Sequence, residues 1–263
     1  FPQLFINWDG SGAIDITLRI GLPQMERESE ASPAIRTTDR IQSTGLTSEG
    51  LMIEEARTNL ALQSQDFSTT WGATRVTIAT NSTTAPDGTS TADTIVIDGT
   101  DSTTHYPHQA VTIVSGTTYT LSVYAKAKEY TRITPLMETT GFSSNVSATF
   151  NLSTGVVDAT AGSPDATSIT DEGNGWYRCS VTATADASAS TPFRFYLDEG
   201  TSGAADTAIA DGDETSGIYI WQADVTAGAF PTSPIPTTTA TVARGAETAN
   251  IADVSGFVAQ GVG

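Results

Sequence analysis

Apolar and polar residues alternate with a period of two along most of the chain. Residues 118–126, TYTLSVYAK, place Tyr119, Leu121, Val123 and Ala125 on one phase and Thr120, Ser122, Tyr124 and Lys126 on the other. That is the pattern of a strand with one side in a core and the other in water. Further strands are expected at residues 75–79, 92–97, 106–114, 131–138, 145–152, 166–170, 176–184, 192–198 and 218–225. Turn chemistry separates them, in Pro86-Asp87-Gly88, Ser115-Gly116, Ser153-Thr154-Gly155, Gly173-Asn174-Gly175 and Asp211-Gly212-Asp213. Short strands at this spacing predict an all-β chain, an antiparallel β-sandwich of the jelly-roll kind. Residues 54–65 are the one stretch with helical character, and they read equally well as an extended lead-in.

Composition narrows the function. The chain has 263 residues, with 30 acidic side chains against 12 basic ones and a net charge of −18. Its two lysines are Lys126 and Lys128, which excludes a nucleic-acid clamp, since neutralising phosphates takes clustered cations. No apolar run approaches the ~18 residues of a membrane-spanning helix, so no membrane insertion is expected. A single cysteine, Cys179, excludes an internal disulfide framework and fits assembly in a reducing cytosol. Two histidines are too few for a metal centre of several imidazoles. There is no Gly-x-Ser-x-Gly elbow, phosphate loop or His-Glu-x-x-His, and Glu54-Glu55 and Asp198-Glu199 read as pairs facing solvent or a cation, so no catalysis is expected.

The chain also resembles itself at an offset of about 200 residues. Ile20, Ile35, Thr37 and Thr38 fall on Ile220, Ile235, Thr237 and Thr238, and Ser32 falls on Thr232. Residues 1–45 therefore read as the C-terminal part of a preceding module or an assembly segment, residues 46–243 as a complete module and residues 244–263 as a linker into a following one. Phe1, Leu4, Phe5, Ile6 and Trp8 make the first segment too apolar for a free linker, and it is expected to form strands at an intersubunit contact.

Six segments occur in order: EEARTNLALQSQDFSTTW (54–71), TAPDGTSTAD (84–93), HQAVTIVSGTTYTLSVYAKA (108–127), FNLSTG (150–155), EGNGWYRCSVT (172–182) and IYIWQADVTAGAFPTSPIPTT (218–238). The series resembles the carbohydrate-binding-like modules of phage head-spike, tail-fibre and other virion surface proteins, over most of residues 50–244. It is also similar in shape to the jelly-roll carbohydrate-binding modules of polysaccharide-degrading enzymes. It departs from the usual form at Ala223-Asp224-Val225-Thr226, where such modules carry a Gln and Glu pair. The resemblance implies a non-catalytic structural or adhesion module on the virion surface, assembled in the host cytoplasm. The implied partners are further copies in a homotrimer, other virion proteins and host surface glycans. The alternative it leaves open is a carbohydrate-binding module of a secreted polysaccharide-degrading enzyme. No cofactor is required, but modules of this shape often hold a structural calcium ion between the first and last strands, where the matching residues are Asp66, Asp87, Asp93 and Asp224.

Candidate ligand contacts follow from side-chain chemistry. In His105-Tyr106-Pro107-His108 an aromatic face suits the apolar C–H face of a pyranose, and imidazole suits its hydroxyls. His105 and His108 lie three apart on extended backbone, so they point to opposite faces. Tyr124, Lys126, Arg132, Arg194 and Tyr196 fall on the polar phases of their strands. If those strands share a sheet, its outer face presents two tyrosines among cations, the makeup of a glycan platform. Trp71, Trp176 and Trp221 are expected in the core.

Overall fold

The computed structural model describes residues 54–198 and 209–247, and Glu54–Ala246 form one compact unit. The assembly segment expected over residues 1–45, with its half of the internal repeat, lies outside the described residues, as does the linker beyond residue 247.

Among the described residues there are fourteen strands and no helix. In chain order they are β1 (Arg57–Asn59), β2 (Gly72–Thr74), β3 (Val76–Thr83), β4 (Ala92–Ile97), β5 (Tyr106–Ile113), β6 (Thr118–Ala127) and β7 (Arg132–Met137). They continue as β8 (Val146–Asn151), β9 (Val156–Ala161), β10 (Ala166–Gly173), β11 (Trp176–Thr184), β12 (Ala189–Asp198), β13 (Gly217–Ala227) and β14 (Val242–Arg244). A first sheet has the order β10-β11-β6-β13-β4-β3 and a second the order β2-β5-β12-β7-β8-β9, with β1 and β14 as a separate ribbon. Every pairing is antiparallel. The protein is an all-β antiparallel sandwich.

Alternation accounts for the core. Leu121, Val123 and Ala125 of β6, Cys179 and Val181 of β11 and Ile218 and Ile220 of β13 face inward from the first sheet. Val111 and Ile113 of β5, Phe193, Phe195 and Leu197 of β12 and Phe150 of β8 meet them from the second. Trp71 lies in this core as expected, in an aromatic group with Phe67 and Phe195 whose ring centroids are 4.9 and 5.6 Å from its own. Burial pushes the pKa of the Cys179 thiol well up, which makes it a packing residue.

Residues 54–65 are extended, with Arg57, Thr58 and Asn59 pairing with Arg244, Ala243 and Val242. Asn59 shows why a helix loses there. It is fully buried, its Nδ2 donates to the carbonyls of Ala223 and Ile235, and its Oδ1 accepts from the backbone N–H of Ala61 and Val225. Three of these four partners lie in distant segments, and together they outweigh local helix propensity.

A bulge in β13 re-aims its side chains. The register shifts between Trp221 and Asp224, with Gln222 at φ 48°, so that one extra residue fits opposite β6. Ile218 and Ile220 before the bulge and Ala223 and Val225 after it all face the core, while Trp221 and Asp224 share the outer side, opposite Tyr124 and Ser122. Strict alternation would have turned Asp224 inward.

Candidate functional site

The eight side chains expected to contact glycan do not form one surface. Tyr124 and Lys126 belong to β6 of the first sheet, whereas Tyr106 and His108 (β5), Arg132 (β7) and Arg194 and Tyr196 (β12) belong to the second. His105 joins neither face. It is fully buried, with Nε2 3.2 Å from Asp98 Oδ1 and Nδ1 3.1 Å from the Thr103 carbonyl. The opposite aim of His105 and His108 follows the extended backbone between them.

On the second sheet, register makes a cluster. Arg194 pairs with His108 on one side and Leu136 on the other, and Tyr196 pairs with Thr134. The Tyr106 and Tyr196 rings are 4.5 Å apart, the Tyr106 and His108 rings 5.7 Å apart, and the Arg194 guanidinium lies 5.0 Å from the Tyr106 ring centre. Arg194 Nη1 donates to the Tyr196 hydroxyl at 2.9 Å, and its Nη2 donates to Glu138. Leu136 is buried beneath the tyrosines. Gly72 leaves room for the His108 ring, because a Cβ there would stand 2.4 Å from His108 Cε1. Arg132 lies farther along the same face and closes on Asp158 at 2.6 Å.

Burial, then the Arg194 charge, lowers the pKa of His108, with Glu138 opposing. Burial raises that of Tyr196, opposed by its bond to Arg194. Burial disfavours the Arg194 charge, but the Tyr196 hydroxyl and the neighbouring Tyr106 and Glu138 more than offset it. At neutral pH the cluster thus holds a neutral His108 imidazole and a neutral Tyr196 phenol beside the Arg194–Glu138 ion pair.

On the first sheet, Trp176, Lys126 and Tyr219 form one cross-strand row, and Arg178, Tyr124 and Trp221 form the next. Trp176, Trp221 and Tyr124 make a small apolar cluster with Ala85 and Ala92, with Tyr219 against it. The β3–β4 loop covers it: Trp176 Nε1 donates to the Thr84 carbonyl at 3.1 Å and Trp221 Nε1 to Thr91 Oγ1 at 3.0 Å. Two of the three tryptophans expected in the core are therefore buried outside it, between the sheet and a loop. Arg178 lies 5.2 Å from the Tyr124 ring centre and turns Nη2 toward Asp224 Oδ2 at 3.8 Å. Burial raises the Asp224 pKa to about 7, against the Arg178 charge and the bonds from Ile235 and Gln222.

The four aspartates considered for calcium are engaged separately. Asp66 binds Ser68 and Thr69, and Asp87 binds Thr89, each within its own turn. Asp93 accepts from the backbone N–H of Phe67 and Asn81. Asp224 Oδ1 accepts from Asn59, Gln222 and Ile235. Among the described residues no group of three or more His, Cys, Asp or Glu side chains is placed to hold a metal ion.

Sequence reasoning missed Glu138, Leu136, Arg178 and Tyr219. Tyr219 and Arg178 share the outer phase with Trp221 and Trp176, so alternation carried a signal for them. Glu138 carried none, because its role depends on which strand lies beside β7.

The chain has a distant likeness to solved structures. One is the enzymatically active domain of tailspike protein 4 of bacteriophage CBA120, at 14% identity and a TM-score of 0.38, covering 64% of this chain and 21% of that one. Another holds the CBM22-1 and GH10 modules of the N-terminal endo-1,4-β-D-xylanase 10B of Clostridium thermocellum complexed with xylohexaose, at 12% identity and a TM-score of 0.37, covering 70% of this chain and 30% of that one. The chain spans less than a third of the length of either. No protein-family model and no curated protein matches it.

Proposed function

We propose that this chain is a non-catalytic carbohydrate-binding module of a phage spike or fibre, displayed on the virion surface and touching host glycans through the second sheet's outer face. The observation that carries this reading is the cluster of Tyr106, His108, Arg194 and Tyr196. Its rings stand on strands rather than loops, and its arginine is already held by Glu138 and Tyr196, so little conformational freedom remains to be lost on binding. Tyr106 and His108 are half-buried and keep part of their surface accessible. They offer a ring edge and hydrogen-bonding groups without net charge, which suits the hydroxyls and C–H face of a neutral sugar. In a homotrimer with other virion proteins, weak contacts of this kind add up to useful avidity.

The test is a glycan array followed by calorimetry on the chain and on Tyr106→Ala. Binding weakened about tenfold, or about 1.4 kcal/mol, with Thr112→Ala unchanged, supports the reading. Equal affinity in Tyr106→Ala would remove this face from it. Light scattering on the same samples checks the trimer.

A further inference from the structure

The eight lysines and arginines of the described residues are not treated alike. Arg57, Lys128, Arg132, Arg178, Arg194 and Arg244 each face a carboxylate. Arg75 has no such partner and reaches the Thr104 carbonyl at 3.3 Å. The Lys126 side chain, half-buried, has neither an ion pair nor a hydrogen bond among the described residues. Scarcity of acids does not explain this, because the chain carries 30 of them.

The surroundings of Lys126 are built. Trp176 on β11 and Tyr219 on β13 stand directly opposite it on its two neighbouring strands. Cross-strand neighbours at such positions have Cβ atoms about 5 Å apart, which sets the Tyr219 and Lys126 side chains beside each other on one face. Trp176 is fixed by burial and its bond to Thr84, which holds the floor of the row in place. The lysine stem runs past Gly175, whose φ of 81° belongs to the β10–β11 turn and whose Cβ, if present, would stand 3.5 Å from Lys126 Cε.

We propose that Lys126 binds the single anionic group, carboxylate or phosphate, of a sugar whose ring lies against Tyr219. The proposal rests on the carbohydrate-binding reading but uses the opposite sheet from Tyr106, so the two fail separately. A sugar with one anionic group fits better than a polyanion, because the net charge of −18 repels the latter. At physiological salt the screening length is about 8 Å, which leaves recognition to the one ammonium in contact.

Ligand-observed NMR on the full chain at about 0.15 M salt tests this with methyl glucuronide, glucose 6-phosphate, methyl glucoside and inorganic phosphate. Lys126→Met, which keeps the stem, is compared with Arg75→Met, and tryptophan emission reports whether the Trp176 cluster stays intact. The expected result is binding of one or both anionic sugars that falls about fivefold in Lys126→Met and is unchanged in Arg75→Met. The uronide and the sugar phosphate distinguish the two sources of the charge. Equal binding by Lys126→Met with unchanged emission overturns the proposal, as does binding of inorganic phosphate as strong as that of the sugar phosphate. Binding of methyl glucoside alone, lost in Tyr106→Ala, would leave the carbohydrate reading standing and remove Lys126 from it.

Discussion

The two sheets carry similar kinds of side chain on their outer faces, large aromatic residues beside a guanidinium, yet they use them differently. On the second sheet Arg194 is held by Glu138 and Tyr196, and among the described residues no loop hydrogen-bonds to the rings. On the first sheet two tryptophan N–H groups bond to the β3–β4 loop, the aromatic cluster is a small core of its own, and the Lys126 side chain at its border has no ion pair or hydrogen bond among the described residues. An aromatic on a polar strand phase can therefore be either a ligand contact or the floor of a covering loop. What decides is whether a loop has already taken its polar atom, as it has for Trp176 and Trp221.

The largest expected effect separates these roles by stability. Trp221→Ala removes a buried ring from beneath the loop and should cost about 3–5 kcal/mol in a denaturant melt, whereas Tyr106→Ala, half-buried, should cost about 1 kcal/mol or less. Equal costs would break the comparison.

Next in size is an opposite response to pH. Asp224 has a folded pKa of about 7 against 3.8 for an ordinary aspartate, so the folded state holds the extra proton between them. Its share of stability rises as pH falls from 7 toward 4, at up to about 1.4 kcal/mol per unit. His108 has a folded pKa below its usual 6.5, so the unfolded chain takes the proton first and stability is lost as pH falls below that value. In melts across this range Asp224→Asn should steepen the loss of stability toward acid, and His108→Gln should lessen it. Unchanged slopes in both variants would contradict the assignment.

The smallest effect concerns positioning. Gly72→Ala should push His108 off its place, costing about 1–2 kcal/mol in the melt and weakening glycan binding several-fold, with nothing changed on the first sheet. A crystal structure of the variant with His108 unmoved would show that the glycine is not what positions it.

Much of the fold was legible, and particular residues show where legibility ended. Ten expected strands match β3 to β8 and β10 to β13, because each alternates or carries a continuous apolar run between turn signals. Strand β9, VVDATA, was missed because an edge strand with little to bury alternates weakly, and β1, β2 and β14 are three residues each. The candidate site was readable only by phase. Tyr106, His108, Arg194 and Tyr196 meet as their phases allow, but strand order, which no single strand encodes, puts Tyr124 and Lys126 on the other sheet. The β13 bulge was invisible for the same reason, since Gln222 is held by Gln65 and Ser64 from far along the chain.

The central claim is that the chain binds carbohydrate through strand-borne side chains. Calorimetric titration of the chain with the strongest hit from a glycan array, alongside Tyr106→Ala and Lys126→Met, tests it most directly. Saturable binding of a defined glycan, weakened about tenfold by Tyr106→Ala for a neutral sugar or about fivefold by Lys126→Met for an anionic one, is the predicted result. An array with no glycan retained, or a hit bound equally by both variants, would contradict the account.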